Sequence, residues 1–221
     1  MRILLINTAA TEGSVTLADK ALAEPVIATA VLPGRTSSEQ LIPVIRRLLE
    51  HNAWKLSDLA AIAVVHGPGS FTGVRVGVSA AKGLSEAGGV PLIAISRLAL
   101  LAASVDGGGG SAHAVLDAGR GEFYYGDYVG HRCVREALLS KREVVAATQG
   151  SIAVVCEERV REALAELELQ LVDEPSAAAA LPFAVDRIER QDFDDVATLD
   201  ANYLRRTDAE IFAKPAIGVG G

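Results

Sequence analysis

The chain has 221 residues and a net charge of −7, with half of its residues hydrophobic and 22% charged. That balance excludes a disordered chain and suits one large packed domain or two small ones. It also argues against a protein that grips nucleic acid by itself, because the basic pairs Arg46-Arg47, Lys141-Arg142 and Arg205-Arg206 are scattered rather than gathered into a phosphate-binding patch.

Ile3–Ile6 is a continuous apolar run and reads as a strand covered on both faces. A turn at Thr11–Gly13 leads to a second strand at Ser14–Leu17, and Val26–Leu32 makes a third. The opening is therefore a three-strand meander, unlike the strand–helix start of a dinucleotide-binding fold. Ser38 is a candidate N-cap for a helix over Glu39–Asn52, with Leu41, Ile45, Leu48 and Leu49 on one face and Pro43 suited only to the first turn. Leu59–Val65 is a fourth strand. A helix over Thr72–Ala87, with Thr72 as N-cap, a strand at Val90–Ile95 and a helix over Arg97–Ala103 complete the first half.

The glycine-rich run from Asp106 to Ser111 reads as a linker and divides the chain into 1–105 and 106–221. The second part begins with a strand at Ala112–Leu116, a turn at Ala118–Gly121 and an aromatic strand at Phe123–Val129. Ile152–Cys156 is a short buried strand whose cysteine reads as an inert core thiol, and two cysteines make no disulfide framework. An amphipathic helix over Glu157–Leu169 follows, then a helical stretch capped by Ser176 and interrupted at Pro182. The tail beyond Pro215 has the composition of a disordered end. No signal peptide opens the chain and no apolar run approaches the roughly 18 residues that span a bilayer, so the expected location is cytoplasmic, without membrane contact.

The segment His66-Gly67-Pro68-Gly69-Ser70-Phe71-Thr72-Gly73 joins the fourth strand to the second helix. Its glycines stand at 67, 69 and 73, which matches neither the dinucleotide fingerprint nor a Walker loop. Two readings stay open: an anion or nucleotide contact through His66, Gly67, Gly69, Ser70, Thr72 and Gly73, or a tight turn that seats a helix close to a sheet. In the helix, Gly73, Gly77, Ala81 and Ser85 form a stripe of small side chains, beside a face carrying Val74 and Val78. Something dense must pack on that stripe, either a neighbouring helix or sheet of the same domain or a helix of another subunit.

Taken together, HGPGSFTGVRVGVSAAKGL resembles the signature segment of the bacterial TsaB (YeaZ) family of tRNA threonylcarbamoyladenosine biosynthesis proteins. The opening MRILLINTAATEGSVTLAD, the stretch Leu116-Asp117-Ala118-Gly119-Arg120-Gly121-Glu122-Phe123-Tyr124 and the closing Tyr203-Leu204-Arg205 resemble further family elements in the same order. The resemblance implies an α/β fold of two ribonuclease-H-like (actin/hexokinase/Hsp70-type) subdomains, each a mixed sheet flanked by helices. It implies a non-catalytic scaffold that binds and activates a metal-binding TsaD-type paralogue, alongside a TsaE-type ATPase, with tRNA reached only through the complex and a homodimer when alone. The subunit interface would be Leu41, Ile45 and Leu48 with Gly73, Val74, Gly77, Val78, Ala81 and Ser85.

The competing reading is a small actin-like ATPase or glycoprotease-like hydrolase that uses the Gly67–Gly73 loop. Against it, Asn7 stands where relatives often keep an aspartate facing Mg²⁺, and a neutral amide is a poor substitute. His51, His66, His113 and His131 form no helical metal-ligand pair, so neither a metal nor a cofactor is expected. Ser70 lacks the G-x-S-x-G elbow, and Asp117, Arg120 and Glu122 read as a turn with a local ion pair, so no catalytic residue is assigned.

Overall fold

A computed structural model describes residues 1–33, 37–105, 111–148 and 151–204; the linker glycines and the tail beyond Pro215 lie outside the described residues, as does Arg205. The chain builds the same sheet twice. Strands β1 (Arg2–Asn7), β2 (Gly13–Asp19), β3 (Val26–Leu32), β4 (Ala61–Val65) and β5 (Leu92–Ile95) lie in the order β3-β2-β1-β4-β5. Strand β1 runs antiparallel to β2 and parallel to β4. Strands β6 (Ser111–Gly119), β7 (Glu122–Val129), β8 (Arg132–Ser140), β9 (Ala153–Val155) and β10 (Leu169–Leu171) repeat the plan in the order β10-β9-β6-β7-β8. Each sheet is thus a three-strand meander whose first strand pairs in parallel with a fourth. This is the two-part, ribonuclease-H-like α/β architecture that the resemblance implies.

The helices are α1 (Ser37–His51), α2 (Phe71–Gly88), α3 (Arg97–Ala102), α4 (Lys141–Ala147), α5 (Glu158–Ala163) and α6 (Leu181–Glu189). Several boundaries differ from the sequence expectation. Helix α2 starts one residue earlier, because Ser70 rather than Thr72 is its N-cap: Ser70 Oγ accepts the Gly73 N–H at 3.2 Å. Helix α1 starts at Ser37 and keeps Pro43 in its interior, on the exposed side where water can take the carbonyl that lacks an N–H partner. Strand β4 begins at Ala61, preceded by a 3-10 turn over Leu56–Asp58. Helix α5 ends at Ala163, and the residues expected to extend it lead into β10. Strand β8, helix α4 and strand β10 have no counterpart in the sequence reading. The outer half of β8, Arg132–Arg135, is an exposed edge and so carries no apolar run.

The centre of the first sheet is dry: Ile3, Leu4, Leu5 and Ile6 of β1 and every residue of β4 are wholly buried. A 3-10 turn over Ala177–Ala180 and helix α6 then return to this sheet, and Ala177, Ala180, Phe183 and Ala184 join its core. The Ala177 N–H donates to Ser14 Oγ at 2.8 Å, and Lys82 Nζ donates to Leu199 O at 2.9 Å. Residues 175 to 204, numbered within the second part of the expected division, therefore pack on the first.

The small stripe of α2 is taken up inside the chain. A Cβ on Gly73 would sit 2.0 Å from Thr8 O, and one on Gly77 would sit 2.2 Å from Thr8 Oγ1. Val74, Gly77, Val78, Ala81 and Ser85 are buried, as are Leu41 and Ile45 of α1, while Leu48 and Gly73 are half-buried. Of the two readings of the stripe, packing within the domain, against Thr8 and the sheet beneath, accounts for its small residues. Most of these residues are buried in the chain, with Leu48 and Gly73 retaining some exposure.

This packing gives two glycine substitutions in one helix opposite signs. Gly73→Ala must push Thr8 away and is expected to cost about 1–3 kcal/mol. A Cβ on Gly83 would meet nothing within 4 Å, so Gly83→Ala is expected to stabilise by about 0.4–1 kcal/mol. Urea unfolding of the two variants beside the parent measures both signs.

Candidate functional site

Two clefts lie where the halves of the chain meet. The front cleft, about 560 Å³, is lined by the β1–β2 turn (Thr8 to Thr11), by Ser38, by the loop and first turn of α2, and by Arg97, Asp117, Glu157 and Arg159. The glycine loop is seated on the β1–β2 turn. A Cβ on Gly69 would fall 2.2 Å from Ala9 O, the Ser70 N–H donates to Ala9 O at 2.9 Å, and Thr8 Oγ1 donates to Gly73 O at 2.7 Å. The Ser70 and Gly73 N–H groups thus point at protein acceptors, and the glycines at 69 and 73 are explained by backbone-to-backbone approach.

Asn7, at the end of β1, is 1% exposed. Its Nδ2 donates to Pro175 O at 3.0 Å and its Oδ1 accepts the Ala9 N–H at 3.0 Å. The first of these bonds needs a donor, which a carboxylate lacks. The amide therefore ties the end of β1 to the C-terminal return.

The cations of the front cleft already have partners. Arg97, on α3 and 4% exposed, donates through Nε to Glu174 at 2.9 Å and through Nη2 to Glu174 and Glu157. Arg159 pairs with Asp117 at 3.1 Å, and the Asp117 N–H donates to Glu157 at 3.0 Å. Asp117 also accepts the Gly119 N–H, which shapes the turn expected there. The cleft is charge-balanced, so it offers a phosphate hydroxyls and helix-end geometry but little net attraction. Burial, then Glu174, pushes the Cys156 thiol beside this cluster up to about 12, which keeps it protonated and inert.

His66 belongs to a different place. The rear cleft, about 360 Å³, holds His66, Tyr128, Glu136, Phe183 and Asn202 among its walls. The His66 backbone is pinned on both sides, its N–H donating to Ile95 O at 3.1 Å and its carbonyl accepting the Asn202 N–H at 2.7 Å. Its Nδ1 is buried without a hydrogen-bond partner among the described residues. Burial holds the imidazole below its usual pKa, with Glu136 opposing.

The structure therefore divides the sequence-expected loop site. Gly69, Ser70, Thr72 and Gly73 line the front cleft, His66 lines the rear one, and Gly67 lines neither. Gly67 has φ +109° and approaches Asn202 O, so it serves the turn. The Arg97–Glu157–Glu174 cluster and the group around Glu136 escaped the sequence reading, because each joins segments far apart along the chain, Arg97 to Glu174 across 77 positions and Ser96 to Glu136 across 40, and carries no local motif. Among the described residues no group of three or more His, Cys, Asp or Glu side chains is placed to hold a metal, and no helix is long and apolar enough to cross a membrane.

Two titrations test these assignments. Asn7→Asp loses the bond to Pro175 O and buries a carboxylate against a carbonyl, so it is expected to cost at least about 2 kcal/mol at neutral pH. A carboxyl buried there has a folded-state pKa above its unfolded value, so the deficit should shrink as pH falls toward about 4. For His66 the folded pKa is the lower one. Below about pH 6.5 the unfolded chain takes a proton that folded His66 refuses, and stability falls by up to about 1.4 kcal/mol per pH unit until the folded pKa is reached. His66→Gln should flatten that slope in denaturation curves recorded between about pH 7 and pH 5.

Residues 30–145, just over half of the chain, match the family model described as TsaD, tRNA N6-adenosine threonylcarbamoyltransferase. The tRNA threonylcarbamoyladenosine biosynthesis protein TsaB of Escherichia coli is 35% identical over 130 residues, covering 58% of this chain and 55% of that protein. TsaB of Bacillus subtilis is 34% identical over 113 residues, covering 51% and 49%. The chain thus spans about half the length of these curated relatives. An uncharacterized protein of Mycobacterium tuberculosis, Rv3421c, is 31% identical over 180 residues, covering 81% of this chain and 80% of its own length. Among solved structures, YeaZ from Pseudomonas aeruginosa superposes with a TM-score of 0.75 at 26% identity, over 91% of this chain and all of that one. With the doubled sheet, the seated glycine loop and these similarities in agreement, the chain belongs to the TsaB (YeaZ) family, within the wider relationship that the TsaD model describes.

Proposed function

We propose that this chain acts in tRNA threonylcarbamoyladenosine biosynthesis as a scaffold subunit that binds and activates a TsaD-type paralogue. The observation that carries the reading is the outward face of α1 and α2. Both helices begin at the front cleft, which Ser38 and Thr72 both line. Ile42 on α1 is 46% exposed and Phe71 at the start of α2 is 50% exposed. Between such apolar anchors, α2 turns Ser79, Gly83 and Ala87 outward, small residues that let another helix approach. This reading places the interface on Ile42, Phe71, Ser79, Gly83 and Ala87, roughly half a helical turn round α2 from the buried stripe. Kinship with the TsaD model supports a partner of the same fold, meeting this face across a pseudo-twofold axis.

In this reading a TsaE-type ATPase joins the pair, and tRNA is held by the assembly rather than by this chain, whose net charge is −7. A second copy of the chain can occupy the same face when the paralogue is absent. The competing ATPase or hydrolase reading requires nucleotide in the front cleft, where Asn7 faces Pro175 and the cations are already paired.

The test is co-purification with the cognate TsaD-type protein, together with mass spectrometry of threonylcarbamoyladenosine in tRNA from a bacterium depleted of its own TsaB. Gly83→Trp and Ile42→Arg are expected to weaken the pairing by roughly tenfold or more and to lower the modification, without lowering the melting temperature of the isolated chain. Undiminished pairing in both variants would overturn the interface. Binding of Mg-ATP by the isolated chain at millimolar concentration would favour the competing reading.

A further inference from the structure

The rear cleft contains a carboxylate without a cation. Glu136, on β8 and half-buried, receives three donors: the Tyr128 hydroxyl, the Ser96 hydroxyl, and Asn202 Nδ2 at 2.7 Å. All three are neutral, and among the described residues Glu136 makes no ion pair. The other charges of the cleft are neutralised. Arg187 donates to Asp194 at 2.9 Å, to Asp192 at 2.9 Å and to Ala94 O at 3.0 Å, and Asp186 pairs with Arg190 at 2.8 Å. The local balance is therefore negative, and Glu136, in the cleft wall, carries a carboxylate that neutral donors alone hold in place.

Around this carboxylate the walls are apolar and aromatic. Ala94, Ile95 and Ala99 line one side, and the Phe183 ring stacks on His131 with centroids 4.2 Å apart. A carboxylate in a low-dielectric cleft attracts a cation far more strongly than one in water, and aromatic faces add to that attraction. A cleft of about 360 Å³ is within the size range of small-molecule sites. Asn202, in its wall, bonds both to the His66 backbone and to Glu136, and the lining draws on both halves of the chain.

We propose that the rear cleft is a binding site for a small organic cation, an ammonium or amidinium on a flat apolar body, whose charge sits on Glu136 and whose body lies against Phe183 and His131. The site is separate from the outward face of α1 and α2 and does not depend on the function proposed above. An occupant would hold the second sheet, through Glu136, against the C-terminal return, through Asn202 and Phe183.

The experiment is a calorimetric titration of the full chain with benzamidine and, in parallel, with benzamide, a neutral molecule of the same shape. Benzamidine is expected to bind roughly tenfold or more tightly than benzamide, about 1.4 kcal/mol. Glu136→Gln should abolish that preference, and Ala94→Phe, which fills the cleft and leaves the carboxylate in place, should weaken both probes. Nuclear magnetic resonance shifts confined to residues beside Tyr128, His131 and Phe183 would place the probe. Equal binding of the two molecules, a preference that survives Glu136→Gln, or no binding of benzamidine at about 10 mM would each overturn the proposal. If Glu136→Gln does not fold, the benzamidine–benzamide difference and the Ala94→Phe variant carry the same test.

Discussion

The contact on which the rest of this molecule depends is backbone against backbone, where the loop at Gly69 and the first turn of α2 meet Thr8 and Ala9. Side chains at 69 or 73 would overlap main-chain oxygen at about 2 Å, closer than any Cβ approaches another atom. That approach fixes the angle at which an eighteen-residue helix leaves the first sheet. It shapes the floor of the front cleft. It also takes the loop's Ser70 and Gly73 N–H groups into internal hydrogen bonds, so those two donors serve the joint.

From this joint, two different clasps hold the halves together. At the front a buried arginine, Arg97, reaches from α3 to Glu157 and Glu174 of the second sheet's segment. Removing one partner of such a cluster leaves a buried charge uncompensated, a cost of about 3–5 kcal/mol, so it enforces one arrangement even where its net contribution is small. At the rear the clasp is a carboxylate held by neutral donors from three separate segments. The two clefts consequently differ in character: the front one is balanced in charge and the rear one is negative.

The C-terminal return connects both. Residues 175 to 204 leave the second sheet, accept the Asn7 amide, fill the core of the first sheet and end on Asn202 beside His66. Asn7 shows how an amide at the end of a strand can act as a joint. Its donor binds the return at Pro175 O while its oxygen accepts the Ala9 N–H. The chain keeps the two-sheet plan of its family while the end of its first strand performs a structural task.

The local elements were legible in the sequence because their causes are local. The apolar runs of β1 and β4, the meander turns, the 3.6-residue face of α1 and the glycine spacing before α2 all act within a few residues, and the family motifs carried the doubled α/β plan with them. Even the need for something dense against Gly73, Gly77, Ala81 and Ser85 was readable. What packs there was not, since Thr8 is sixty-five positions away and either a sheet or a partner helix fills a small-residue stripe equally well. Strand β8 was hidden because an edge strand exposed on its outer half needs no apolar run, and β10 because three residues are too few for a period. The division of the loop between two clefts, the pairing of Arg97 and the isolation of Glu136 were decided only in three dimensions. Charge balance depends on which distant side chains the folded sheets bring within a few ångströms, and nothing in the order of residues along the chain encodes that distance.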